Sequence, residues 1–404
     1  MKVIYLANGL PHYFNLVLSK LNAMPGVDLL VVIPKGPGKY IGDGVFQSKA
    51  GINFRIIELR EYSVEPLFAA FAGLSGLLLR ERPDVVVLSQ HLLLGFFLHP
   101  GLLLARKISG ARLVLKSIPF LLADYKTSID RLANEKPISF RGKVLEMLRL
   151  RKLLRRALLE LRAFCFRTVD AHVNYVDAAR EVYGSYGVRL EKIFVTRNSP
   201  DTDAMKETEK VLMGMDRPPV RSPYSVLHVG RLVQQKRVDL LLAAFQSVLA
   251  RVPEARLVVV GDGPERKTYE ALSIKLGISG SVHFAGPVYE STELARYFFS
   301  ASIFVLPGLG GLSINEAMFY GLAIVCAAGD GTERYLVREG HNGAFFQNGD
   351  AESLAGALIG LLLDSQKLDA MRQHSKSIIE CEVNIHTVVS EYMKAFQYAI
   401  SARR

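Results

Sequence analysis

The chain is short of cysteine, of acidic charge and of long unbroken apolar runs, and each shortage removes a class of protein. Its three cysteines, Cys165, Cys326 and Cys381, stand far apart. That spacing matches neither a disulfide framework nor a zinc site, and it fits a reducing compartment. The longest apolar stretches are 66–79 and 86–105. The first is too short to cross a bilayer, and Gln90, His91, His99 and Pro100 break the second. MKVIYLA runs straight into the turn-forming NGLPHY, so no signal peptide is expected. The sequence contains no repeat, low-complexity tract, heptad array or cluster with metal-ligand spacing. The expectation is a cytoplasmic protein, either free or resting on the inner face of the cell membrane.

Acidic residues are outnumbered, 39 Asp+Glu against 50 Lys+Arg, which leaves a formal charge of +11. Such an excess points to an anionic partner: a nucleotide, a nucleic acid or a membrane surface. Half of the 404 residues are hydrophobic and 22% are charged, so the chain is globular and long enough for two cores.

Short β-rich runs recur at 2–7, 28–34, 54–60, 84–89, 111–117 and 171–176. They are continuously apolar, as strands buried on both faces of a parallel sheet are. Helix-like stretches, such as 12–23 and 66–82, separate them. Residues 198–224 are polar and proline-rich and read as a linker. The alternation then restarts, with strands at 224–230, 255–261, 281–286, 302–308 and 322–328. Helices are expected at 236–250, 264–276 and 313–321. The fold class is α/β: two doubly wound Rossmann-like domains facing across a cleft. The boundaries are 1–200 and 201–384, with a C-terminal helix over about 385–404 packing back on the first domain.

Three junctions in the second half can hold an anion. In HVGRLVQQKRVDLLLAAF a strand ends at Gly230, and Arg231 and Lys236 precede a helix with one apolar face. Cations beside a free helix N-terminus can grip a diphosphate. The same residues also read as a solvated loop. GDGPE, with Gly263, lets backbone approach a ligand, or is an ordinary turn. In LPGLGGLSINEAMFYG, Gly308, Gly310 and Gly311 leave amides unshielded, and Ser313 can cap the helix carrying Glu316. That carboxylate can accept bonds from vicinal hydroxyls, or can serve the helix dipole alone.

In order and spacing these elements resemble the family 4 (group 1) glycosyltransferases of the GT-B fold. The resemblance runs over about 224–364 through HVGRLVQQKRVDLLLAAF, RLVVVGDGPE, VHFAGPV, ASIFVLPG, INEAMFYGLAIV and HNGAFFQNGD. Over 1–200 it is architectural. It implies retaining, metal-independent transfer from a nucleotide sugar, a UDP-sugar before a GDP-sugar, to a glycan or lipid-linked acceptor in cell-surface polysaccharide or glycoconjugate synthesis. By the same resemblance Arg231 and Lys236 bind the donor diphosphate and Glu316 the ribose hydroxyls. The backbone at Gly286, Pro287 and Val288 reads the base, and Leu312 and Ser313 meet the phosphates. Gly9, Gly230, Gly263, Gly310 and Gly311 complete the donor side. The family usually places a Glu where this chain has Gly308, and a His after the strand that here ends in Lys116, Ser117 and Ile118. His91, one strand earlier, is the candidate to act with Arg231 and Lys236 in catalysis, or is a core histidine. A nucleotide-sugar epimerase and a catalytically inert nucleotide- or glycan-binding protein of the same fold are the alternatives.

Residues 141–167 hold nine Lys/Arg and two Glu. The cations cluster on one side at helical spacing. Met147, Leu150, Leu153, Leu154, Ala157, Leu158, Leu161 and Phe164 take the other. The expectation is a helix whose apolar face packs on the first domain while its cations meet water or anionic lipid. Nucleic acid is not expected, because no aromatic row interleaves the cations.

Overall fold

The structure is a computed structural model, which describes residues 1–36, 47–49, 51–64, 68–117, 122–133, 143–327 and 333–401. Ile118, the start of the basic segment at 141–142, Ala328 and the tail at 402–404 lie outside the described residues. The chain divides into two units, Met1–Arg197 with Val388–Arg404, and Asn198–Thr387.

The first unit contains, in order, β1 (Lys2–Leu6), α1 (His12–Asn22), β2 (Asp28–Pro34), β3 (Arg55–Leu59), β4 (Glu61–Val64), β5 (Phe68–Phe71), α2 (Leu74–Glu81), β6 (Val85–Ser89), α3 (Leu93–Leu98), α4 (Pro100–Ser109), β7 (Arg112–Lys116), α5 (Tyr125–Ala133), α6 (Lys143–Thr168), β8 (Ala171–Asn174), α7 (Ala178–Ser185) and β9 (Ile193–Val195). Seven of these strands form a parallel sheet in the order β3-β2-β1-β6-β7-β8-β9. Val3, Ile4, Leu30 to Val32, Val85 to Leu88 and Leu113 to Leu115 are wholly buried, which is why these strands lack polar alternation. The expected helix over 66–82 is corrected. Phe68–Phe71 pairs antiparallel with Glu61–Val64, and the helix begins only after Gly73, whose φ of +80° turns the chain.

The second unit contains α8 (Thr202–Met213), β10 (Ser225–Val229), α9 (Val238–Arg251), β11 (Arg256–Val260), α10 (Arg266–Lys275), β12 (Val282–Gly286), α11 (Ser291–Ser300), β13 (Ile303–Leu306), α12 (Ser313–Phe319), β14 (Ala323–Ala327), α13 (Glu333–Leu336), β15 (Gly343–Phe346), α14 (Ala351–Leu362) and α15 (Ser365–Cys381). Its parallel sheet runs β12-β11-β10-β13-β14-β15. The linker reading of 198–224 is corrected as well. Asp201 caps α8 by accepting from the backbone N–H groups of Asp203 and Ala204, Leu212 is buried, and Glu209 pairs with Lys376 at 2.9 Å.

The last helix, α16 (Ile385–Ser401), enters the first unit from Val388 onward. Its Tyr392 and Phe396 are buried, and the hydroxyls of Tyr392 and Tyr5 meet.

In the helix α6 the buried side differs from the expected one. Leu159, Ala163, Cys165 and Phe166 are buried, whereas Leu153, Leu154 and Phe164 are 66%, 57% and 54% exposed. Of the apolar stripe expected to pack inward, Leu161 does pack against the core and Leu158 is half-buried, while Leu153, Leu154 and Phe164 face solvent, because Leu159, Ala163 and Phe166 fill the inner side at i, i+4 and i+7.

Asp170 ties β7 to β8. Its carboxylate accepts from the Leu113 N–H at 2.8 Å, from Arg106 Nη2 at 3.1 Å and from Arg112 Nη1 at 3.2 Å. It is 12% exposed, so removing it strands two guanidinium groups and a backbone donor. Asp170→Ala is expected to lower unfolding free energy by about 2–4 kcal/mol, and Asp170→Asn by less, in urea denaturation. Equal stability of wild type and the Ala variant would remove this tie from the account.

Candidate functional site: the glycine-clasped strand ends of the second unit

In the second unit the chain runs from β10 outward to β11 and β12, then returns to β13 on the other side of β10. Ligands of such sheets bind outside the carboxyl ends of the strands at this reversal. Three loops meet there by main-chain contact. Gly230 N–H donates to Val260 O at 3.0 Å, Leu232 N–H to Asp262 O at 2.8 Å, and Glu265 N–H to Leu232 O at 3.0 Å. A Cβ on Gly261 would stand 1.9 Å from Gly230 O, and one on Gly263 2.3 Å from Leu232 O. Only glycine permits that approach.

The other flank is closed in the same way. A Cβ on Gly308 would lie 2.2 Å from Gln235 O, the atom that accepts from Leu309 N–H at 3.1 Å. Lys236 Nζ donates to Leu309 O and Gly310 O, both at 2.7 Å. The loop is therefore docked on the turn before α9, and an acidic side chain at 308 has no room. Gln234–Lys236 form one 3-10 turn, so α9 starts at Val238 and not at 236. Arg237, in the left-handed region at φ +52°, makes the bend and holds Asp239 with Nε at 3.3 Å. Arg231 is exposed just beyond the strand.

The helix α12 begins at Ser313 with Leu312 as its cap and without a side-chain cap bond. Ser313 is thus the first helical residue and not the cap, a further correction, because the docked loop already brings Leu312 into the helical region (φ −67°, ψ −14°). Glu316 lies in the first turn. Its carboxylate has no hydrogen-bond or ion-pair partner among the described residues, and burial pushes it up to about 7. Asn315 beside it is buried and donates to Asn198 O at 3.1 Å. Pro287 and Val288 follow β12, where Gly286, at φ +80°, accepts from Gly261 N–H at 2.8 Å.

Gly230, Arg231, Lys236, Gly263, Gly310, Gly311 and Leu312 therefore share one loop cluster, with Glu316 one turn into the helix beside it and Pro287 and Val288 at the end of the outermost strand. Gly9 and His91 belong to the first unit. His91 stands on the turn after β6, with Nε2 3.5 Å from Glu61 Oε1; burial pushes its imidazole down to about 4, so it is neutral at pH 7. Sequence reasoning missed His228. It is fully buried on β10, its Nδ1 is 3.0 Å from Val305 O, and Nε2 has no partner among the described residues. A histidine in an otherwise apolar strand was its only signal. Among the described residues no three His, Cys, Asp or Glu side chains converge as metal ligands.

Residues 217–378 match the sequence model of the family described as glycosyl transferases group 1. This segment belongs to the group 1 glycosyltransferases. A phosphatidyl-myo-inositol mannosyltransferase of Mycolicibacterium smegmatis is 34% identical over 151 residues, which is 36% of this chain and 38% of that protein. The lipopolysaccharide core biosynthesis glycosyltransferase LpsE of Rhizobium meliloti is 26% identical over 233 residues, 57% of this chain and 64% of that protein. The matches thus span about two-fifths to just under two-thirds of these relatives. The crystal structure of HepE from Anabaena in complex with UDP covers 98% of the chain, and all of HepE is matched, at a TM-score of 0.64 and 17% identity. At that identity the likeness is one of fold: two Rossmann-like α/β units in one chain, the GT-B class. The group 1 segment begins in the polar stretch after α8 and ends within α15, so it contains the whole glycine-clasped cluster.

Two outcomes follow for stability. Gly308→Ala is expected to cost about 1–3 kcal/mol, since backbone must shift. Gly230→Ala should be nearly neutral, because its new Cβ meets nothing nearer than His228 Nε2 at 3.4 Å. Calorimetry that ranks the two alike would refute the clasp. For Glu316 the folded carboxyl titrates above its unfolded value. Its protonated form is favoured in the fold, so stability falls as pH rises from about 4.5 to about 7 and is level above. Glu316→Gln is expected to be more stable than wild type at pH 8, by on the order of 1–3 kcal/mol, and equal near pH 4.

Proposed function

We propose that the chain transfers a glycosyl group from a nucleoside diphosphate sugar to a hydroxyl of a glycan or lipid-linked acceptor, in the making of bacterial cell-surface polysaccharide or glycoconjugate. The observation that carries this is the loop cluster itself: Arg231, Lys236 and loop amides at the strand reversal, beside Glu316, a carboxylate without a partner among the described residues. In this reading Arg231 and Lys236 take the diphosphate. Lys236 would exchange a carbonyl partner for a phosphate oxygen, a stronger, charge-assisted bond. Glu316 accepts the ribose hydroxyls, and the backbone at Gly286 to Val288 faces the base. Uridine is the favoured base, and UDP is what HepE holds in its crystal structure.

Retention follows if the leaving diphosphate takes the acceptor's proton on the face it departs from. The protein then supplies positive charge and orientation rather than a base, and needs no metal. With glycine at 308 the donor sugar would be met by main-chain amides of 309–312. His91, neutral and held against Glu61, is given no step. Gly308 also supports a second reading, a nucleotide-binding protein without turnover.

Membrane contact would come through α6. Leu153, Leu154 and Phe164 are exposed beside Lys152, Arg155 and Arg156, and α4 of the same unit exposes Leu103, Leu104 and Ile108. Apolar side chains flanked by cations suit an anionic bilayer surface. No single described helix is long and apolar enough to cross a membrane; the bent pair Gln90–Leu98 and Pro100–Ser109 matches in length and composition only.

Combined Arg231→Ala and Lys236→Ala is expected to weaken UDP binding at least a hundredfold, about 1.5–3 kcal/mol for each charged bond. Unchanged affinity ends the assignment. Turnover of UDP-sugar only with acceptor present, and an axial or equatorial product linkage matching the donor by NMR, separate transfer from mere binding. Changing Lys152, Arg155 and Arg156 to Gln should cost about 3 kcal/mol of binding to anionic vesicles at low salt. Equal sedimentation of variant and wild type would leave α6 a solvated helix.

A further inference from the structure

Among the described residues, the first unit holds an amine, that of Lys116, beside which no counter-ion stands. Lys116 is the last residue of β7, at the carboxyl edge of the sheet. Register puts its side chain on the face shared by Tyr5 and Val87. Its Nζ lies 3.2 Å from the centre of the Phe14 ring and 5.8 Å from that of Tyr5. The two rings are 5.5 Å apart and tilted by 52°. No carboxylate, hydroxyl or carbonyl among the described residues bonds the ammonium. The described residues placed beside it are neutral: Phe14 from α1, Tyr5 from β1, Ser89 opposite it on β6, and Ser117 next in sequence. The first turn of α1 carries no acidic residue.

A cation between aromatic faces recovers part of its lost hydration. It does not recover all of it, since burial pushes Lys116 down to about 7. A methionine would fill the same space without that penalty, so packing does not account for the amine. Its position does. The strand order reverses between β1 and β6, and β7 is the next strand, so Lys116 stands at the edge where a parallel sheet holds ligands.

We propose that Lys116 is the anchoring charge of a second binding site, in the first unit, for a phosphate or carboxylate group. On the glycosyl-transfer reading, that group belongs to the acceptor. The site itself does not depend on that reading. The anion supplies the missing counter-charge, and the Phe14 ring offers an apolar wall to the atoms that carry it.

The test labels the full chain at pH 7 with pyridoxal 5′-phosphate and borohydride. A neutral amine condenses with the aldehyde, losing water, and hydride reduces the imine to a secondary amine. Lys116 is expected to be the main labelled lysine in a peptide map. Inorganic phosphate or acetate should protect it at least fivefold over chloride of equal ionic strength, and the more effective of the two identifies the preferred anion. Labelling spread evenly over surface lysines, or equal protection by chloride, overturns the site. Lys116→Met should melt no lower than wild type; a clear drop would make the lysine a packing residue instead. In a transfer assay the Met variant should lose at least tenfold in kcat/KM on acceptors carrying an anionic group and be unchanged on neutral ones. Equal loss on both sets overturns the acceptor assignment. If no transfer occurs with wild type, the function fails while the labelling still decides the site.

Discussion

Main chain packed against main chain is the constraint on which the site rests. The segment from Gly230 to Lys236 is clasped on one flank by Gly261 and Gly263 and on the other by Gly308, each touching a carbonyl where a side-chain carbon cannot stand. Three loops thereby act as one rigid surface, and the amides that remain are fixed in direction. Preorganised donors of this kind cost nothing to reorient when charge develops in front of them. The clasp also explains an absence: the loop is acid-free because its first residue has been given up to contact.

Against that rigid backbone, the polar side chains that matter are underprovided with partners. Glu316 lacks a donor and His228 a second partner among the described residues, and both are shifted by burial toward their neutral forms. Burying polar groups unsatisfied is costly, and such groups are rare unless something else uses them. In the second unit these two lie beside the clasped loops, and in the first Lys116 lies at the corresponding edge of the sheet. Most of each sheet's interior is, by contrast, hydrocarbon: Val3 and Ile4, Val226 and Leu227, Ile303 to Leu306.

That contrast decides what could be read beforehand. The central strands announce themselves, because burial on both faces makes them almost continuously apolar, with His228 on β10 an exception. The hairpin β4–β5 does not, since Glu61 and Tyr62 interrupt it and it pairs with its own neighbour. The helix α8 was hidden by polar composition, although Asp201 three residues before Ala204 is a cap signal. On α6 the sequence carries two apolar arcs, and only tertiary packing selects Leu159, Ala163 and Phe166 as the inner one. The positions of Arg231 and Lys236 in the loop after β10, and of Glu316 in the first turn of α12, could be read because strand-glycine-helix junctions are local patterns; their roles remain proposals. The role of Gly308 could not be read, because a close approach is a property of two segments, and its partner lies some seventy residues earlier.

The pairing of Tyr5 with Tyr392 sets an order of events during synthesis. The first unit owns both the start of the sequence and the segment from Val388 onward, with the whole second unit encoded between them. At about 5–20 residues per second, a ribosome leaves that face of the first sheet uncovered for roughly ten to forty seconds. The second unit has all its own strands before then and can fold first, although it is translated later than most of its companion. A premature stop between the end of the group 1 segment and the start of α16 would spare that segment yet leave Tyr5 and its neighbours bare, a sticky half-domain joined to a nearly complete one.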